Sequence, residues 1–214
     1  MTEGTPADQQ SKSSPLQCTL LFGLLLTLPG LQVTFLGFLY FAIPLVVMFY
    51  LYKWEQGKRY ILAGLAIASV LSLITKSFGS LLFTATFIPP GLALAESAFR
   101  GYTPAGSGLK GTVTLIGSWV LLIAGFIVLT GSNPITDFLN IQYLWMEETL
   151  KAYRESKQLS PEQIAQWQQA YEQSRIVLPK IMPAIIIDYA LFIIWFVMLA
   201  GNKIVSRFTG YQPW

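Results

Sequence analysis

The apolar residues of this chain fall into six blocks: Leu16–Leu28, Val33–Tyr52, Tyr60–Thr75, Phe78–Ala95, Thr112–Thr130 and Ile176–Ala200. Most are about 15 to 25 residues long, the length at which a helix crosses a hydrocarbon core. In lipid each backbone N–H and C=O must find its partner within the segment, so blocks of this length predict helices. The first block is short for a full span and ends at Pro29-Gly30, so it either crosses or enters and turns back. The second carries Pro44, which predicts a kink, and ends in the aromatic cluster Phe49, Tyr50, Tyr52 and Trp54, a headgroup-belt composition. The third is rich in small residues, with Gly64 and Ala68 four apart on one face. Pro89-Pro90-Gly91 predicts a break in the fourth, and Gly101–Gly111 (GYTPAGSGLKG) reads as a loop before the fifth.

Residues 135–175 differ in character. They hold six acidic residues (Asp137, Glu147, Glu148, Glu155, Glu162, Glu172) and four basic ones, a sum of −2. Ser160-Pro161-Glu162-Gln163 has the form of a helix start, with Ser at the N-cap, Pro next and Gln at the third position. Two helices with a break near Gln158–Ser160 follow. Ile164, Trp167, Tyr171, Ser174 and Leu178 share one modestly apolar face. The expected fold is therefore an all-α integral membrane protein with about six transmembrane helices. An extramembrane, amphipathic helical hairpin lies between the fifth and sixth. Residues 1–14, polar and with one basic residue, read as a disordered tail. Residues 15–207 form a single transmembrane domain and 208–214 a C-terminal tail.

Composition agrees with the block pattern. Of 214 residues 53% are hydrophobic and 12% charged, with mean hydropathy +0.52. That charged fraction is about half the soluble norm. A net charge of +3 without a basic, aromatic-interleaved run speaks against nucleic acid. The single cysteine, Cys18, excludes an intrachain disulfide and reads as a small apolar helix residue. There is no histidine, which removes the commonest metal ligand and general base. No nucleophile elbow, P-loop or zincin motif is present. An enzyme, a metal and a cofactor are therefore not expected.

Basic residues orient the helices. With six spans and an inward N-terminus, the cytoplasmic side holds Lys12, Lys53, Lys58, Arg59, Arg100, Lys110, Lys203 and Arg207, eight of fourteen. That distribution obeys the positive-inside rule and puts both termini in the cytoplasm and the acidic hairpin outside. Lys76 is then an outer, snorkelling cation. If the first block turns back, every later loop inverts.

Asp188, at the centre of the last block, is the most informative residue. A carboxylate there costs at least ~2.5–3.5 kcal/mol on insertion scales and so pairs with a neighbour or lines a polar cavity. With Lys76, Pro89 and Pro90 it forms a candidate solute or helix-packing site. Pro179 and Pro183 near the start of its block predict a second broken helix, the kind of break that transporters use to bind substrate. Trp145, Trp167 and Tyr171 form a candidate outer partner surface. Arg100 and Lys110 are candidate cytoplasmic contacts, although a positive-inside anchor explains them as well.

Three passages carry a family resemblance: KWEQGKRYILAG before the small-residue helix, GLALAESAFRGYTPAG closing the fourth block, and LPKIMPAIIIDYALFIIW with NKIVSRF at the end. The layout from Lys53 to Arg207 resembles the YybS-like family of bacterial polytopic membrane proteins. That family is similar in turn to the S components of energy-coupling-factor transporters. The resemblance implies a bacterial inner-membrane location, a solute pocket and a coupling subunit with ATPases. The first helix, LQCTLLFGLLLTL, lacks the A-x-x-x-A docking face of S components, and the hairpin is larger than their loops. Two functions are expected on these grounds: a solute-binding transport subunit, or a membrane scaffold whose outer hairpin docks a protein partner.

Overall fold

The computed structural model describes residues 14–31, 39–156 and 159–214. The expected N-terminal tail up to residue 13, the start of the second block and part of the hairpin turn lie outside these residues. Each regular element described is helical: α1 (Pro15–Thr27) with a 3₁₀ turn (Leu28–Leu31), α2 (Leu39–Lys53), α3 (Gly57–Ile74), α4 (Phe78–Ala85), α5 (Ile88–Phe99), α6 (Pro104–Thr130), α7 (Pro134–Ser156) and α8 (Pro161–Thr209). Among the described residues, four stretches are long and apolar enough to cross a membrane: Gly57–Ile74, Phe78–Phe99, Pro104–Thr130 and Pro161–Thr209. Helices α1 and α2 are shorter apolar elements. The protein is an all-α membrane protein.

The helices form two compact units. The first contains α1 to α5, the start of α6 and the end of α8; the second is Leu115–Ile193. In the first, α1 begins with a capping box. Ser14 Oγ accepts from the Gln17 N–H, and the Ser14 N–H donates to Gln17 Oε1. Its thirteen residues rise only about 20 Å. It packs on α3 through Gly23 and Gly64, where a Cβ on Gly64 would lie 2.8 Å from a Phe22 ring carbon. Gly64 and Ala68 are both buried, as their shared face predicts. The Tyr50 hydroxyl of α2 donates to the Cys18 carbonyl at 2.9 Å, joining α2 to α1. Helix α2 continues through Pro44, and the Pro44 backbone abuts Gly91 of α5.

The break expected in the fourth block falls at Thr86–Phe87, just before the prolines. Pro89 and Pro90 then sit in the first turn of α5, where a missing N–H leaves no intrahelical bond unmade. Two expectations are corrected. The glycine-rich stretch 101–111 is not a loop throughout, because α6 begins at Pro104. Thr103 receives the Gly106 N–H on its side chain and the Ser107 N–H on its carbonyl, which starts the helix. Its glycines serve packing: a Cβ on Gly111 would lie 2.9 Å from Leu94 Cδ2. The sixth block is also unbroken, since α8 runs continuously through Pro179 and Pro183. Because these prolines are four apart, the carbonyls they free belong to Arg175 and Pro179. Both residues are exposed and lie at the start of the apolar stretch.

In the second unit Leu115, Trp119, Leu139, Leu150, Ala190 and Ile193 are buried. Trp119 of α6 stacks on Tyr189 of α8, ring centroids 6.2 Å apart.

Candidate functional site

The hairpin of α7 and the first part of α8 lies within the second unit. Asn133 starts α7, its side-chain oxygen accepting from the Ile135 N–H, with Pro134 at the first helical position. Asp137 in the first turn and Arg154 in the last complement the helix dipole. The predicted start of α8 is present: the Gln163 N–H donates to Ser160 Oγ at 3.3 Å and the Ser160 N–H to Gln163 Oε1 at 2.9 Å. The Glu162 carboxylate is held below its ordinary range, first by hydrogen bonding from its own backbone N–H and then from Ser160.

Contacts along the hairpin pair the helices antiparallel. Arg154 Nη2 donates to Gln168 Oε1 at 2.6 Å, and Gln168 Nε2 donates to Glu172. Tyr143 and Tyr171 meet edge to face at 6.3 Å. The Arg175 guanidinium lies 5.5 Å and 5.9 Å from their ring centres, a cation–π arrangement. Of the predicted apolar face, Ile164, Tyr171, Ser174 and Leu178 are partly covered. Trp167 is not; it is 55% exposed.

Trp167 instead borders a groove of about 230 Å³ with Gln142, Trp145, Met146, Thr149, Leu150 and Tyr153. Trp145 is 64% exposed and also edges a shallower depression with Glu148, Thr149 and Ala152. Two open tryptophans, a tyrosine and a pliable methionine around one groove, with carboxylates beside it, suit protein recognition. The structure therefore brings Trp145 and Trp167 together. Tyr171 sits further along, beside Tyr143 and Arg175.

Lys76, Pro89 and Pro90 belong to the first unit and Asp188 to the second. Lys76 has a left-handed backbone (φ 56°) and ends α3: the Ser77 N–H returns to the Ser72 carbonyl and the Lys76 N–H to Leu73. Pro90 is buried in the packed first turn of α5. Asp188 is exposed on α8, with no hydrogen bond or ion pair among the described residues. Arg100 and Lys110 converge on one carboxylate, Glu96, at 2.5 Å and 3.0 Å. The Lys110 ammonium also lies over the Tyr102 ring at 5.7 Å.

One feature was missed from the sequence. The C-terminal residues are not a loose tail: Tyr211 stacks on Tyr52 at 5.0 Å and donates to the Ala98 carbonyl, and Trp214 Nε1 donates to the buried Ser107 hydroxyl at 2.9 Å. The only sequence signal was the aromatic spacing of Phe208, Tyr211 and Trp214.

A family model described as a predicted membrane protein (DUF2232) matches residues 19–212. No curated protein and no solved structure matches the chain.

Proposed function

We propose that this chain, which belongs to the DUF2232 family of predicted membrane proteins, is a non-enzymatic docking subunit. It is held in the bilayer by its apolar helices and binds a protein partner through the α7/α8 hairpin. The observation that carries the reading is the groove between Trp145 and Trp167 on the most polar part of the chain. Exposed tryptophans also anchor helices at the headgroups, but here two of them share one groove on a charged hairpin, which favours a protein partner. The positive-inside distribution supports a hairpin outside a bacterial inner membrane, with both termini inside.

Asp188 supports a second reading, the solute-binding subunit that resemblance to the YybS-like family and to S components implies. A carboxylate in the middle of an apolar stretch suits a solute or ion contact.

Native mass spectrometry of protein extracted from its own membranes separates the two. A bound polypeptide lost in a Trp145→Ala/Trp167→Ala variant and kept in Asp188→Asn supports docking. A bound small molecule lost in Asp188→Asn and kept in the tryptophan variant would overturn it in favour of transport.

A further inference from the structure

Trp145, Thr149 and Tyr153 recur every four residues, so they stand in one row on α7, and Trp167 borders the same groove from α8. All three rings are exposed. Trp145 and Tyr153 are about 12 Å apart along the helix axis, with Thr149 between them. The Thr149 hydroxyl donates to the Trp145 carbonyl at 2.7 Å, so it turns back onto its own helix and leaves an apolar floor between the rings. The groove, about 230 Å³, is smaller than the ~300–1,000 Å³ of clefts that hold small-molecule ligands. It suits a single side chain reaching in from a larger partner.

Glu148 lines a second depression together with Trp145, so the indole has aromatic neighbours on one side and a carboxylate on the other. Glu148 is exposed and has no hydrogen bond or ion pair among the described residues. A partner that covers Trp145 therefore covers Glu148 as well, and a carboxylate withdrawn from water needs a counter-charge. The negative faces of the rings attract a cation to the same place. An apolar side chain would fill the groove and leave Glu148 unpaired. The hairpin already holds one cation by this chemistry, since the Arg175 guanidinium lies 5.5 Å and 5.9 Å from the ring centres of Tyr143 and Tyr171. Arg154 is engaged elsewhere, by Gln168 across the helix pair.

We propose, building on the docking reading, that the groove receives an arginine side chain of the partner polypeptide. The planar guanidinium stacks on the Trp145 indole, and its N–H groups reach the Glu148 carboxylate. Trp167 and Tyr153 close around the stem.

The test is fluorine NMR of the full chain, labelled with fluorotryptophan and held in phosphatidylcholine nanodiscs, whose lipid has no net charge. The probe is a tripeptide amide with arginine between two leucines; its control carries citrulline, which has the same shape without the charge. The arginine peptide is expected to shift the Trp145 and Trp167 resonances saturably, and the citrulline peptide to bind at least tenfold more weakly. Because that comparison uses the unaltered protein, it does not depend on a variant folding. Trp145→Leu, read at Trp167, and Glu148→Gln are each expected to weaken the arginine peptide at least fivefold. Glu147→Gln, at a residue bordering neither depression, is expected to change it less than twofold. No shift with the arginine peptide, or equal binding of arginine and citrulline, would overturn the proposal. So would choline chloride binding as tightly as the peptide, which would make the occupant a free solute. If the mass-spectrometric test still finds a polypeptide held through Trp145 and Trp167, docking stands and only the arginine falls; if it finds none, both fall.

Discussion

At single residues, the decisive contacts are close approaches of backbone that leave no room for a side chain. A Cβ on Gly91 would lie 2.7 Å from the Pro44 carbonyl oxygen and 2.8 Å from Val47 Cβ, neither of which is a flexible tip. Gly91→Ala is therefore expected to cost about 1–3 kcal/mol. At Gly117 nothing lies within 4 Å, and Gly117→Ala is expected to add about 0.5–1 kcal/mol by stiffening the helix. Thermal unfolding in detergent, followed by circular dichroism, checks the pair through opposite shifts. Lys76 has a different constraint. Its left-handed backbone suits glycine, so Lys76→Gly is expected to raise stability by about 1 kcal/mol and Lys76→Ile to lower it, by the same measurement. The small-residue character of α3 was readable as a packing face, yet which residue each glycine meets was not. A sequence shows that a position is small; only the neighbouring helix shows what the smallness admits.

At the scale of elements, short-range chemistry was the most legible. The Ser160 to Gln163 box stands where its spacing predicts, because a cap involves side chains and backbone three residues apart and little else. Ser160→Ala is expected to cost about 1 kcal/mol locally and to speed amide exchange in the first turn of α8, read by hydrogen–deuterium exchange. Where glycine or proline was read as a breaker, the outcome depended on position. The stretch from Pro104 to Gly111 is helical because Thr103 caps it and its glycines are packed against Leu94 and Met198. Prolines 179 and 183 leave α8 continuous, and the two carbonyls they free belong to exposed residues, Arg175 and Pro179. Pro183→Ala is accordingly expected to keep the helix and raise the unfolding midpoint. The C-terminal residues show the converse. Nothing local predicts that Trp214 reaches Ser107, and a Trp214→Ala variant is expected to lose about 1–3 kcal/mol by orphaning a buried hydroxyl.

At the scale of the molecule, the proposed orientation is open to direct measurement. A cysteine at Gln169, in a Cys18→Ser background, is expected to react with a membrane-impermeant reagent added to intact cells. One at Lys58 is expected to react only after permeabilisation, and the reverse pattern would turn the hairpin inward. That the chain is an all-helical membrane protein followed from sequence by itself, because hydrocarbon leaves a long apolar segment one way to satisfy its backbone. The order of the apolar elements and the polar hairpin followed for the same reason, since both are properties of contiguous residues. Which side chains stand together did not. Trp145 and Trp167 are 22 positions apart and share a groove only because α7 and α8 pair antiparallel. Asp188 was visible as costly from its position, but whether its own chain covers it depends on which face of α8 the core of the second unit occupies. That choice is made by packing between helices distant in sequence, and it leaves the carboxylate on the outside.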